Sequence, residues 1–107
     1  MSDAKLATEL LRKVLALTPE PRHEDPDKVV EDSARILLQR EEELAGLKVL
    51  MDKEPTLLQG NLECRKIRDD IALLDRQWND ALDWARRELS KRRLAGQRAR
   101  QAQRAYQ

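Results

Sequence analysis

Asn61–Arg104 reads NLECRKIRDDIALLDRQWNDALDWARRELSKRRLAGQRARQAQR, a stretch without proline and with one glycine, Gly96. Ile67, Ile71, Leu74, Trp78, Ala81, Ala85 and Leu89 follow one another at steps of three and four, which sets them in one stripe along a 3.6-residue helix. At 1.5 Å per residue such a helix spans roughly 65 Å. A compact domain of this chain length is narrower than that, so the C-terminal end is expected to project into solvent or onto a partner. The remainder of the chain is read as the cover for the first half of this helix.

A second line, Leu62, Leu73, Trp84 and Ala95, repeats at steps of eleven, which are nearly whole turns. It is rotated from the main stripe: Trp84 points about 120° away from Trp78 at 100° per residue. This line is expected either to receive the first helix or to stay partly exposed. Beyond Leu89 the stripe shrinks to Ala95, Ala99, Ala102 and Ala105 before Tyr106. Alanines let another helix approach closely but bury too little area to hold one alone.

Working back from Asn61, Asp25 is an N-cap, Pro26 suits the first helical position and Asp27 favours the positive end of the dipole. The helix they open is expected to run to Lys53. Val30, Leu37, Leu44 and Met51 repeat every seven residues, with Ala34, Leu47 and Leu50 beside them, and read as its packing seam. Glu41, Glu42 and Glu43 are expected on the outer face. Arg40 is placed at the seam's edge, its stem over apolar surface and its head in water. Glu54-Pro55 closes this helix, Thr56–Gly60 turns the chain with Leu57-Leu58 plugging the end, and Asn61 or Gly60 caps the next helix. So short a loop makes the two helices antiparallel neighbours.

The first helix is read over 3–17 from Leu6, Leu10, Val14 and Leu17, widened by Leu11 and Leu15, with Ser2 or Asp3 as cap and Thr18-Pro19 as stop. Residues 18–25 form a polar linker with nothing apolar to bury, expected to be extended and mobile. It is long enough for the first helix to pack at home or swap to another copy. The expected architecture over 1–107 is therefore one all-α domain, a three-helix antiparallel bundle with a long, projecting C-terminal helix. Its parts are helices at 3–17, 26–53 and 61–104, the linker at 18–25, and a basic tail from residue 86.

Composition agrees. Charged residues make up 38% of the 107 and aromatics 3%, with no Phe, which argues against a β-sandwich. The apolar periodicity argues against disorder. A core this thin is expected to gain stability from a partner or a second copy. From Arg86 onward there are eight basic residues and one acid, a net +7, whereas the first 85 residues carry 13 basic and 19 acidic, a net −6. An acidic body with a basic helical tail points to a charged partner or to docking of the tail on the body. The single cysteine, Cys64, excludes an intrachain disulfide and fits a reducing compartment. Asp3, Lys5 and Glu9 interrupt any signal-peptide core, and no apolar run approaches a membrane span. A cytoplasmic protein without membrane contact is expected.

No catalytic chemistry is legible, and the chain is not expected to be an enzyme. The one histidine, His23, lies in the linker, and Cys64 has no neighbouring base, so neither a nucleophile nor a metal or cofactor site is expected. Asp69, Asp70, Asp75, Asp80 and Asp83 read as a solvated face. Nucleic acid is the weaker expectation for the basic tail. Its only aromatic is the terminal Tyr106, so there is no stacking platform, and the body is acidic. Trp84 is expected under the first helix or as an aromatic anchor in a partner groove. Tyr106, as a terminal residue, carries no role on physical grounds alone.

Over about residues 29–106 the chain resembles the FliT/FlgN-type flagellar export chaperones. The resemblance lies in Ile36-Leu37-Leu38-Gln39-Arg40-Glu41-Glu42-Glu43-Leu44, in Ile67-Arg68-Asp69-Asp70-Ile71-Ala72-Leu73-Leu74-Asp75, and in an Arg/Gln-rich helix closing on Ala105-Tyr106. It implies a small helical cytoplasmic chaperone. Such a protein binds the C-terminal segment of a filament-cap or hook-associated protein, prevents its premature assembly and delivers it to the export apparatus. It also implies that Tyr106 contacts the export gate. The chain departs from the family in its unusually basic tail and in Gly96.

Together these readings make Leu44, Leu47, Met51, Leu57, Leu58, Leu73, Trp84 and Tyr106 the candidate partner contacts, through an amphipathic segment laid against the second and third helices. The competing expectations are a self-associating coiled-coil or adaptor protein, a homodimer included, and a basic-tail protein associated with nucleic acid.

Overall fold

The computed structural model describes residues 2–105 and is all-helical, with no strand among them. Helix α1 spans Asp3–Ala16, α2 spans Pro26–Lys53 and α3 spans Leu62–Ala105. Local chemistry fixes these limits. Ser2 caps α1 by accepting from the Lys5 amide at 3.2 Å. Asp25 caps α2 at the Asp27 amide, with Pro26 in the first turn. Asn61 Oδ1 accepts from the Cys64 amide at 3.2 Å to open α3, after Gly60 has turned the chain at φ +81°. The boundaries differ from expectation by one residue: Leu17 is the C-cap of α1 rather than its last turn, and α3 runs 62–105. The molecule measures 73 × 21 × 19 Å, and its long dimension is α3.

The α3 stripe is buried as expected: Ile67, Ile71, Trp78, Ala81 and Ala85 are in the core, and Leu74 and Leu89 are half-buried. On α2 the seam is displaced. Val29, Ser33, Ile36, Arg40 and Leu47 are buried, while Val30, Leu37 and Leu44 stand in solvent and Met51 is half-buried. Val30 and Leu37 each follow a core residue by one position, a rotation of about 100°. The expected seven-residue seam is thus an exposed apolar lip beside the core.

The core falls into two clusters. Ala7, Leu11 and Val14 of α1 pack with Leu47, Leu58, Cys64, Ile67 and Ile71; Val29 and Ile36 pack with Trp78, Ala81 and Ala85. Between them lies a polar belt. Arg40 donates from Nη1 to Asp75 Oδ1 at 2.7 Å and from Nη2 to Oδ2 at 3.4 Å. Glu43 is half-buried beside it, and its Oε2 and Arg40 Nε are buried without a hydrogen-bond partner among the described residues. Arg40 is therefore not a wet-headed edge residue, Glu43 is not on the outer face, and Asp75 is not part of a merely solvated row.

Helix α1 lies against α2 and the start of α3. Gly46 lets it close in: a Cβ there would stand 3.3 Å from Leu10 Cδ1. Lys53 reaches Asp3 at 3.5 Å, Arg12 pairs with Glu63, and Thr8 Oγ1 lies 2.9 Å from Cys64 Sγ. The line Leu62–Leu73–Trp84–Ala95 does not receive α1, since Leu62 and Leu73 are exposed.

The linker is docked rather than free. Thr18 is buried, Trp78 Nε1 donates to the Pro19 carbonyl at 2.7 Å, and the His23 ring lies 5.2 Å from that of Trp84. Residues 18–25 act as a strap along α3 where α1 has ended, so Trp84 sits under the linker and not under α1. A side-chain pattern gives no sign of this, because the strap is held through a backbone carbonyl.

Candidate partner-binding groove

Three features of α2 and α3 build one groove. The first is the lip. Val30, Leu37 and Leu44 project from α2, with Leu37 61% exposed. Gly46, which faces α1, is nine positions on from Leu37 and so about 180° round the helix, which sets the lip on the flank away from α1. The second is the Arg40–Asp75 pair, which bridges α2 to α3 across the floor. The third is a cleft on either side of that pair. One, of about 230 Å³, is lined by Ser33, Ile36, Leu37, Trp78, Asn79 and Leu82. The other, of about 510 Å³, has Leu11, Val14 and Ile71 at its floor, Leu44 and Ala72 on its sides, and Arg65, Arg68 and Asp69 at its rim.

Its electrostatics are uneven. Arg40 consumes Asp75, while Arg65 and Arg68 are exposed and form no ion pair among the described residues. From this groove α3 continues past the bundle with every residue after Ser90 exposed except Gly96, up to Ala105. Among the described residues of the tail only Arg86 with Asp83 (3.8 Å) and Lys91 with Glu88 (3.2 Å) form ion pairs, both on the same helix.

The strap side carries another cleft, of about 350 Å³, floored by Val29, Ile36, Trp78 and Pro19 and rimmed by charges of both signs. Among the described residues no cluster of His, Cys, Asp and Glu could hold a metal ion, and no helix is long and apolar enough to cross a membrane.

The sequence-chosen contacts scatter over this frame. Leu44 lines the groove. Leu47 and Leu58 are core residues, and Met51 and Leu57 are half-buried against the same cluster. Leu73 is exposed but outside the groove lining, and Trp84 is half-buried beside His23. Tyr106 lies outside the described residues. Val30 and Leu37 carry more of the open apolar surface than most of these. Their seven-residue spacing was the available signal, but it reads equally well as core. No protein-family model matches the chain, and no curated protein or solved structure does.

Proposed function

We propose that this chain is a non-enzymatic binding protein that captures an amphipathic helix of a partner in the groove between α2 and α3, α1 packing behind them to complete a three-helix antiparallel bundle. The observation that supports it most is the open line Val30–Leu37–Leu44, of which Leu37 and Leu44 line the two clefts, since a folded helix normally turns such a repeat inward. Helix-in-groove recognition needs this geometry: a rigid scaffold, apolar pockets at helical spacing and polar groups that set the register. In its specific form, drawn from the resemblance, the protein is a cytoplasmic flagellar export chaperone. It holds a filament-cap or hook-associated protein unassembled until export, with the basic tail and Tyr106 available to the export apparatus.

The test is co-purification of the full chain with the C-terminal segment of a filament-cap or hook-associated protein, alongside Leu37→Asp. Retention by the parent chain, and loss in a variant of unchanged helicity, is the expected result. Equal retention by both would remove the groove from the reading. The lip also suits a second copy of this chain, and sedimentation across concentrations tests that arrangement: a tight dimer abolished by Leu37→Asp would favour it.

A further inference from the structure

We infer that the helix received by this groove is acidic: its apolar stripe seats on Val30, Leu37 and Leu44, and its carboxylates face the arginines of α3. This rests on the helix-binding reading above and adds the chemical class of the partner.

The lip fixes the occupant's form. Its residues recur every seven positions, about 10.5 Å along α2 at 1.5 Å per residue. A second helix with a seven-residue apolar repeat matches that interval along its whole length, and side chains from the two interdigitate. An extended segment, rising about 3.3 Å per residue, meets it only intermittently.

The opposite bank fixes the charge. Arg65 and Arg68 stand at the rim on α3, exposed and without ion pairs among the described residues; Asp69 beside them offsets one of the two charges, and the nearby Asp75 is taken by Arg40. The same helix runs on as the tail, where the net charge from Arg86 is +7. A partner helix lying along α3 meets Arg65 and Arg68 at the groove rim, with Asp69 beside them, then a stretch over 69–85 that carries five Asp and one Arg, and beyond the bundle the cations of the tail. Acidic side chains on its flank would relieve their mutual repulsion and speed encounter.

Other occupants fit less well. A second copy would seat the same lip, flanked by Asp27, Glu41 and Lys48, and would add its own +7 tail to this one's, so the cations gain less balance than an acidic helix supplies. Nucleic acid answers the tail's charge but leaves Val30, Leu37 and Leu44 with nothing apolar to cover them.

The probes are two synthetic amphipathic helices of about three heptads with identical leucine seams, one flanked by Glu and one by Lys. Binding to the full-length protein is followed by fluorescence anisotropy. The Glu helix is expected to bind at least about tenfold tighter at ~50 mM salt, with the difference closing near ~1 M as screening shortens the reach of the charges. The double substitution Arg65→Glu with Arg68→Glu, both at exposed positions, is expected to erase or invert the preference, and Leu37→Asp to abolish binding of the Glu helix with helicity intact.

Equal or tighter binding of the Lys helix overturns the acidic assignment and leaves the groove standing. If neither helix binds while the chain dimerises through Leu37, both this inference and the helix-binding reading fall. Binding of a short DNA duplex without binding of the Glu helix also overturns the inference and makes the tail a nucleic-acid surface.

Discussion

Arg40 of α2 and Asp75 of α3 meet at 2.7 Å between two apolar clusters, and the two partners differ in exposure: the Arg40 side chain is 7% accessible and that of Asp75 44%. Removal of Asp75 therefore strands a buried cation, whereas removal of Arg40 leaves a carboxylate that water reaches. Asp75→Ala is expected to lower unfolding stability by about 2 kcal/mol, below the usual cost of breaking a fully buried pair because Asp75 is already half wet. Arg40→Met should cost less, and Arg40→Met with Asp75→Leu should lie within about 1 kcal/mol of the parent, since an apolar belt needs no partners. Urea midpoints of the three variants check the order. A double variant as unstable as Asp75→Ala would mean that the charges themselves hold the helices in register.

Two helical glycines are expected to respond in opposite ways to alanine. At Gly96 a Cβ meets only Arg100 Nη2, at 3.9 Å, so Gly96→Ala should stabilise the projecting helix locally by about 1 kcal/mol. At Gly46 the new methyl comes to 3.3 Å from Leu10, and the helical gain is offset by displacement of α1. Gly46→Ala should be close to neutral. Gly46→Val has no such compensation and is expected to cost about 2 kcal/mol by overpacking. Circular dichroism on melting separates these cases.

Trp78 ties the strap to the bundle through one hydrogen bond to the Pro19 carbonyl. Trp78→Phe keeps a ring in the core cluster and deletes the donor. It should cost about 1 kcal/mol, the net worth of a typical hydrogen bond. Its effect should be felt first at the strap: limited proteolysis after Arg22, which is exposed, is expected to quicken by more than a fall of about 5 °C in the melting midpoint accounts for. Unchanged cleavage would place the hold on the strap elsewhere, with the His23–Trp84 contact the next candidate.

Helix existence was legible because capping and periodicity act locally: Asp25-Pro26, Asn61 and the Ile67–Ala85 stripe all perform as their chemistry requires. The face that α2 buries was not. Val29–Ile36 and Val30–Leu37 are one residue apart, and the true core face carries Ser33, Arg40 and Glu43 while the lip is wholly apolar. Periodicity alone prefers the lip. Asp75 on α3 and the gap at Gly46 decide otherwise, and both are tertiary facts. The same rotation divides the candidate contacts: Leu47 and Leu58 are core, whereas Val30 and Leu37, read as seam, face outward.

Cys64 is 1% exposed and lies against Thr8 at 2.9 Å, near the junction of α1 with α3. Its thiol reports whether α1 stays seated. In the native protein it is expected to resist a bulky thiol reagent and to react fully in denaturant. Thr8→Val, which removes the polar neighbour and leaves its volume, should accelerate labelling without exposing Trp78 in the other cluster. Fast labelling of the parent chain would show that α1 leaves the bundle readily.

The tail beyond Leu89 has no tertiary packing to hold it, so its helicity depends on propensity and charge. Arg87–Lys91 and Arg100–Arg104 are like-charge pairs at i,i+4, each costing a few tenths of a kcal/mol, up to about 0.5, and a helix segment of this length is marginal by itself. Deletion after Leu89 should therefore leave the melting midpoint of the bundle within about 2 °C of the full chain. Amide exchange should show the same division: residues 67–85 protected to the global limit, residues 90–105 exchanging far faster, and their protection rising with salt as the arginines are screened. A truncated chain that melts well below its parent would mean that the tail folds back on the acidic body, and the basic bank would then be occupied in cis.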